Sequence, residues 1–398
     1  MSKPLLAVGV DAGSDRTRCA ITVLESSELR FLGYGEAVSR GWVKGRIADQ
    51  GPLSESIREA VTEAEGLAQV SVEGAAVGIG GSAIEGANSR GVYEFGRPRE
   101  IEAGDLGYAV ERATRVRLEE NRLLLQVFPQ DFTVDGRAGY RRPHGVKCSR
   151  LEANVHLITA THQEHQFLIA AVHQAHLAVE ETVFEAMAAA HASVLPEDRS
   201  RGVAVVDLGA HSTDIAVYDG EALLLASSVP VGGEHFTKDV AWCLTVSFED
   251  AEMLKKEYGC AILGLTSDSS LIEAPSAEGR PGREATRRQL NEILEARADE
   301  LFRFVRAEIA RVGMEQSLVE GVVLTGGGAR LNGMCDVAER ILNCQARHGL
   351  PVGVRDWPEE IHNTSWTVAA GLAMYSGRLK LRKEHRRRAP GMVGLLLR

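Results

Sequence analysis

An α/β fold built from two related halves is predicted by three glycine turns, each at the end of a short buried strand. The first two are nearly the same acidic turn: Ala7-Val8-Gly9-Val10-Asp11-Ala12-Gly13-Ser14, and about two hundred residues later Val203-Ala204-Val205-Val206-Asp207-Leu208-Gly209, continuing Ala210-His211-Ser212-Thr213-Asp214. The third is Gly321-Val322-Val323-Leu324-Thr325 running into Gly326-Gly327-Gly328. A returning strand follows each of the first two turns, so the plan of the first half is repeated in the second.

In the first half the opening strand runs to about Val10 and Cys19–Leu24 returns beside it. A helix is expected over Pro52–Gly66, where Leu53, Ile57, Val61 and Ala64 recur at helical spacing, with Ser54 near its start and Gly66 at its end. Gly74–Gly81 reads as a buried strand entering a glycine turn. The texture then changes. Ala87–Glu102 is polar and turn-rich, a helix spans Glu102–Glu120, strands lie near Leu123–Phe128 and Phe132–Val134, Arg137–Pro143 is a loop, and Leu151–Thr161 is a strand. Together these form a small α+β insertion. Helices resume at Glu164–Gln174 and Ala188–Leu195.

In the second half Ile215–Tyr218 and Leu223–Val229 are the hairpin partners, and Gly232-Gly233 precedes a helix from Glu234. Phe248–Tyr258 is helical and stops at Gly259, while Ser267–Gly282 is a polar loop. A long amphipathic helix covers Arg287–Val312, its stripe formed by Leu290, Ile293, Leu294, Leu301, Val305 and Ile309.

A strand that delivers an Asp into a Gly-Ser turn suits phosphate. Glycines free backbone N–H groups to face anionic oxygens, hydroxyls add donors, and the carboxylate holds a hydrated Mg²⁺. On this reading Ser14 and the backbone amides of Ala12–Ser14 face a β-phosphate, and the backbone amides of Gly209–Thr213, Ser212 among them, face a γ-phosphate. Asp11 and Asp207 share Mg²⁺ through water. Gly326, Gly327 and Gly328 admit the sugar and base, and Gly232 and Gly233 lie beneath the nucleotide. Glu252, Lys255 and Lys256 lie one helical turn apart, a spacing that suits ribose hydroxyls and base stacking as well as a simple surface charge pair. The order of the three turns, with hairpins after the first two, resembles the actin/Hsp70/sugar-kinase ATPase fold, with duplicated RNase H-like halves; the implied cofactors are ATP and Mg²⁺.

Longer segments carry a closer resemblance. Ser39-Arg40-Gly41-Trp42-Val43-Lys44-Gly45-Arg46-Ile47-Ala48-Asp49, Ile84-Glu85-Gly86-Ala87-Asn88-Ser89-Arg90-Gly91, Phe128–Gly136, Leu151–Leu157, Val229–Asp239 and Lys256–Ala261 are similar to FtsA, the bacterial actin-like cell-division family. The resemblance implies a first actin-like half at residues 1–85 and 163–200, an inserted subdomain at 86–162, and a second half at 201–240 and 319–376. It also implies an outer subdomain at 241–318 and a basic linker with a membrane-targeting segment at 377–398. The implied function is an ATP-binding filament that tethers FtsZ to the cytoplasmic side of the inner membrane at the division site and helps recruit other divisome proteins. Arg283, Arg297 and Glu300 match the family's positions for the FtsZ C-terminal peptide.

The turns also depart from the family pattern. Ala210 and His211 replace glycines in the second turn, and Arg16 and Arg18 stand where related ATPases often carry Lys. Nucleotide binding is expected, hydrolysis is at most weak, and no general base is identified. A small-molecule kinase of this fold and a pilus-assembly adaptor of the PilM type are the alternatives.

Charge is unevenly distributed along the 398 residues, whose net charge is −10. From Arg378 to Arg398 eight Lys/Arg face Glu384 alone, leaving that segment at about +7 and the remainder at about −17. An acidic body argues against nucleic acid as a partner, and a basic end argues for an anionic membrane surface. The chain is expected to leave the globular body at Ser376-Gly377. Wound as a helix, Met392, Val393, Leu395, Leu396 and Leu397 then share one face for membrane contact, too short to be stable in water alone. No run is long enough to span a bilayer and none reads as a signal peptide. Six scattered cysteines without a Cys-x-x-Cys pair read as reduced thiols. His162-x-x-His165 and His173-x-x-His176 read as surface histidines on a polar helix.

Overall fold

The computed structural model describes residues 5–25, 28–265, 271–274 and 283–388. Strands β1 (Leu5–Ala12), β2 (Arg16–Glu25) and β3 (Glu28–Val38) form an antiparallel meander, followed by the short pair β4 (Trp42–Val43) and β5 (Arg46–Ile47). Helix α1 (Gln50–Ala68) starts earlier than its apolar spacing suggests. Asp49 caps it by accepting from the Gly51 N–H at 3.0 Å, while Ser54 is buried inside the first turns. Strand β6 (Gly74–Ile79) follows.

The inserted unit consists of β7 (Ile84–Glu100), α2 (Ala103–Ala113), β8 (Arg122–Val134), β9 (Arg137–Tyr140) and β10 (Lys147–Thr161), in the order β7-β10-β8-β9. Three expectations are corrected here. The helix ends at Ala113, because beyond it Val116 is exposed and no apolar face remains to bury. The two expected strands after it are one strand, β8, which accommodates Pro129 at a register shift opposite Asn154 and Val155. Part of the expected loop Arg137–Pro143 is the strand β9. The unit is rooted on the second half: His156 Nε2 accepts from the Ala226 N–H at 3.0 Å, and Gln130 donates to the Leu223 carbonyl.

The chain continues through α3 (His162–Gln174), β11 (Ala178–Phe184), α4 (Glu185–Ser193) and α5 (Pro196–Arg199). The second half holds β12 (Val203–Leu208), β13 (Thr213–Asp219), β14 (Ala222–Val229), α6 (Gly233–Leu244) and α7 (Phe248–Tyr258). Within the expected polar loop, β15 (Leu271–Ala274) pairs with β16 (Arg283–Thr286), a hairpin that the polar composition did not signal. Then come α8 (Arg287–Ala310), β17 (Val322–Thr325), α9 (Met334–Leu342), β18 (Ala346–His348), β19 (Val354–Arg355) and α10 (Thr367–Arg388).

The duplication is visible in the strand order. One sheet runs β3-β2-β1-β6-β11 and the other β14-β13-β12-β17-β18, each an antiparallel meander continued by two parallel strands, with β19 added beside β3. The register repeats as well. Asp11 pairs with Arg18 across the first turn and Asp207 with Asp214 across the second, so the two hairpin turns have the same length. Each half has its own core; that of the second includes the α8 stripe of Leu290, Leu294, Leu301, Val305 and Ile309.

Helix α10 corrects the expected exit at Ser376-Gly377. Ser376 is fully buried, accepts from the Val8 N–H and donates to Glu180 at 2.7 Å; Gly377 packs against Leu29. Lys380 pairs with Glu180 at 2.6 Å. The helix therefore stays docked through the first residues of the basic run. Met392, Val393, Leu395, Leu396 and Leu397 lie outside the described residues.

Two glycines allow this docking. A Cβ on Gly371 would overlap the Ala188 carbonyl of α4, and one on Gly9 would overlap the Ala369 carbonyl of α10. Gly371→Ala is expected to cost about 3 kcal/mol through overpacking, read as a lower urea midpoint with an unchanged slope.

Candidate functional site

The strand ends of the two halves deliver carboxylates into one place. Asp11 at the end of β1 and Asp207 at the end of β12 are both buried, and each lies where its sheet's parallel and antiparallel parts meet. Asp214 on β13 and Glu185, the first residue of α4, join them; the charges of Asp11, Asp214 and Asp207 all act on Glu185. Room for this cluster comes from glycine. A Cβ on Gly80 would collide with both the Asp214 and the Glu185 carboxylate, and the Gly81 N–H donates to both Asp214 oxygens at 3.0 Å. Thr325 Oγ1 donates to Asp207 at 2.7 Å, tying the third glycine-turn strand to the second.

Burial without a cation disfavours the charged forms. It pushes Asp11 up to about 7, with the Asp207 charge adding to the effect and Arg18 opposing it. Asp207 rises to about 6 by burial, against the Thr325 hydrogen bond and Arg18. Asp214 rises to about 7 by burial, with the Asp207 charge adding to it. Glu185 is raised well above the carboxylate range for the same reason.

Ser14 and His211 join the two turns. His211 Nδ1 lies 3.0 Å from Ser14 Oγ, and its Nε2 lies 3.2 Å from Glu234 at the start of α6. Gly45, between β4 and β5, leaves space for this ring: a Cβ there would lie 2.8 Å from the His211 Cβ. Burial lowers the pKa of His211 despite Glu234. The His211 side chain of the second turn thus reaches across to the first.

The remaining expected residues divide into those that face the cleft and those that brace it. The Gly13 N–H faces the Asp11 carboxylate, and Ser212 lies against Gly81. The Gly209 carbonyl accepts from the Gly233 N–H at 2.9 Å, and a Cβ on Gly232 would overlap the Ala210 carbonyl, so the second turn is locked onto the start of α6. Thr213 is fully buried with its hydroxyl on the Val231 carbonyl, so this hydroxyl braces the turn. Lys255 Nζ donates to the Gly233 carbonyl at 3.0 Å and pairs with Glu252 at 2.7 Å; Lys256 pairs with Glu252 at 3.1 Å. This trio is a tied ion-pair network with Lys255 holding the α6 terminus. Gly326, at φ +82°, exchanges hydrogen bonds with Thr364, while Gly328 packs on Leu208.

Sequence reading missed Glu185 and the part played by Asp214. An acidic residue opening the alanine-rich run Glu185–Ser193 was the available signal for the first, and Asp214 stood inside the quoted turn. Elsewhere, Arg297 makes a two-pronged contact with Asp239, at 2.6 and 2.9 Å, and also bonds Glu300 beside it on α8; Arg283 lies on β16. His162, His173 and His176 are exposed, and His165 Nε2 meets Thr182 Oγ1 at 3.1 Å.

Two like-built halves, each presenting an acidic hairpin turn to the other, define the actin-like class of folds. Solved structures agree on the fold: a PilM–PilN type IV pilus biogenesis complex (TM-score 0.67, 17% identity, covering 93% of this chain and 98% of that one) and MreB5 of Spiroplasma citri bound to ADP (TM-score 0.58, 12% identity, covering 96% and 98%). Within that class the chain belongs to the FtsA family of cell division proteins. The family model "Cell division protein FtsA" matches residues 204–371, and "SHS2 domain inserted in FTSA" matches 81–159. The chain is 32% identical to cell division protein FtsA of Pseudomonas aeruginosa over 93% of its length and 89% of the relative's. It is 30% identical to that of Escherichia coli over 93% and 90%, and 31% identical to that of Bacillus subtilis over 89% and 81%.

The raised carboxylates set a pH dependence. Between the ordinary carboxylate range and about pH 7 the folded chain keeps protons that the unfolded chain has lost, so stability falls as pH rises through that window. Asp214→Asn, which keeps the shape and removes the charge, is expected to flatten this fall. Above about pH 7 it should be roughly 2 kcal/mol more stable than the parent in urea denaturation without added nucleotide.

Proposed function

We propose that this chain binds ATP in the cleft between the Asp11 and Asp207 turns and polymerises as an actin-like filament. In this reading it tethers FtsZ, through the FtsZ C-terminal peptide, to the cytoplasmic face of the inner membrane at the division site, and it helps to recruit other division proteins there. The observation that carries the reading is the matched pair of hairpin turns, of equal length and with Asp at the same register, facing each other closely enough for His211 to touch Ser14.

The donor set fits Mg²⁺. Asp11 and Asp207 are buried and only partly offset by the Arg18 charge, and among the described residues no three His, Cys, Asp or Glu side chains could ligate a metal together. Carboxylates placed this way would hold the ion through its water shell, with phosphate oxygens completing the coordination. Mg²⁺ would neutralise phosphate charge. Asp11 and Asp207 would orient its water, and Gly13 and Gly209 would let backbone approach the phosphates. Ser14 and Ser212 would supply hydroxyl donors, the first only after leaving His211. Ser14 is thus engaged, Thr213 is turned inward and His211 lies between the turns, an arrangement suited to holding nucleotide more than to rapid turnover. The role is that of a scaffold, with at most weak ATPase activity.

For the FtsZ peptide, the reading assigns Arg283, Arg297 and Glu300. Arg297 is already paired with Asp239, so a peptide carboxylate would have to share or displace that contact. For the membrane it assigns the basic end of α10 and the apolar segment Met392, Val393, Leu395, Leu396 and Leu397.

Co-sedimentation with anionic liposomes and the FtsZ C-terminal peptide, with and without ATP, tests the whole. Asp207→Ala is expected to weaken ATP binding at least about tenfold, and Arg297→Glu to weaken peptide capture to a similar degree with ATP binding intact. Removal of residues 389–398 should abolish pelleting with liposomes. Absence of recruitment under every condition would overturn the reading.

A further inference from the structure

Away from the acidic cleft, three helices bring two guanidiniums onto one neutral imidazole, with no carboxylate paired to either among the described residues. His191 lies near the end of α4, Arg199 ends α5 and Arg378 lies on α10. Arg199 Nη1 is 3.2 Å from His191 Nδ1, and Arg378 Nη1 is 3.0 Å from the same nitrogen. That nitrogen has one lone pair, whereas each guanidinium carries five N–H donors. Among the described residues neither arginine forms an ion pair with a carboxylate. The nearby acids are engaged elsewhere: Glu180 with Lys380 and Ser376, Glu181 with the Tyr375 hydroxyl, and Asp198 with Arg201 and Arg347. Arg382, one turn further along α10, adds a third positive charge facing His191 and Arg378.

A second observation points to the same place. Tyr218 on β13 is 5% exposed, and its buried hydroxyl has no hydrogen-bond partner. The Arg199 guanidinium lies over its ring, 5.9 Å from the centroid, and Arg199 and Arg378 are the charges that face the hydroxyl. Arg378 is exposed, while His191 and Arg199 are half-buried.

We propose that Arg199, Arg378, His191 and Tyr218 form an oxyanion site that takes a phosphate group, either free phosphate or the headgroup of a phospholipid. Two guanidinium forks and a phenol converge from different elements. A planar carboxylate matches one fork, whereas a tetrahedral dianion addresses both forks and the hydroxyl and balances both charges. The site lies at the base of the basic stretch of α10, where the helix continues to Arg388, so a headgroup is within the expected setting as well as dissolved phosphate.

Calorimetric titration of the full chain with inorganic phosphate, against chloride at equal ionic strength, tests the site. Phosphate that binds in the nucleotide cleft remains in the variants, so the difference between chains reports this site alone. The double variant Arg199→Gln/Arg378→Gln is expected to lose at least about tenfold in affinity for it. Tyr218→Phe, which keeps the ring and its packing, should lose a smaller part and serves if the double variant does not fold. Pelleting with phosphatidylglycerol vesicles is then compared with vesicles carrying equal charge as fatty-acid carboxylate. A selective loss on phosphatidylglycerol in the double variant assigns the headgroup. Loss of phosphate binding with unchanged pelleting assigns free phosphate. No phosphate binding, or binding unaltered in both variants, overturns the proposal.

Discussion

The rest of the structure depends on keeping four carboxylates, Asp11, Asp207, Asp214 and Glu185, buried against one another. Each resists ionisation because water is excluded, and at Asp11, Asp214 and Glu185 a neighbouring carboxylate adds to the effect. No single local device compensates for this. Thr325 donates to Asp207 and Gly81 to Asp214, and Arg18 faces Asp11 and Asp207 from the partner strand of the first turn while pairing with Glu36 at 2.7 Å. The two sheets bring their strand ends face to face, and glycines at 78 and 80 give the carboxylates room. These crowded acids, and the glycine turns beside them, are the features on which the proposed Mg²⁺–nucleotide reading rests.

His211 changes how such a cleft behaves. A glycine in its place would leave the two turns independent, whereas the imidazole spans from Glu234 to Ser14 and is walled on one side by Gly45. The halves are thereby linked by side-chain contact as well as by the backbone. Phosphate entering beside Ser14 would meet a hydroxyl already engaged, so binding must rearrange this bridge. The substitution that made the second turn look loose in the sequence makes it a connection in the structure.

What was legible in the sequence was local. A buried strand ending in Asp and Gly declares itself within eight residues, and doing so twice declares the duplication. The strand order and the matching register of Asp11 and Asp207 follow from that pattern. Glu185 was hidden because its nearness to Asp11 arises from parallel pairing of β11 with β6 and of β6 with β1, contacts that no local spacing encodes. Thr213 and Lys255 carry the right chemistry for phosphate or ribose, but tertiary packing turns the Thr213 hydroxyl onto a carbonyl and ties Lys255 to the α6 terminus. Ser376-Gly377 reads as a helix end by composition. In the fold Gly377 is there for close approach to Leu29, and the serine is a buried hydrogen-bond bridge.

That docking joins the third glycine turn, the cleft strands and the basic run of α10 in one packed path. The Gly326 turn is bonded in both directions to Thr364, and α10 begins three residues later at Thr367, whose hydroxyl is fixed on the Gly349 carbonyl. From there the helix presses on Gly9 of β1, the strand that carries Asp11 next to its last residue, and crosses Ala188 of α4, which opens with Glu185. It then locks onto Val8 and Glu180 through Ser376, and onto Glu180 again through Lys380. Contacts this tight do not stretch; packed elements shift as bodies or not at all. A chain that left the body at Gly377 would have separated the basic segment from the cleft by a flexible joint. With the helix docked past that point, the third glycine turn, the strand that carries Asp11 and the start of the basic run are joined by continuous packing and hydrogen bonds with no flexible joint between them.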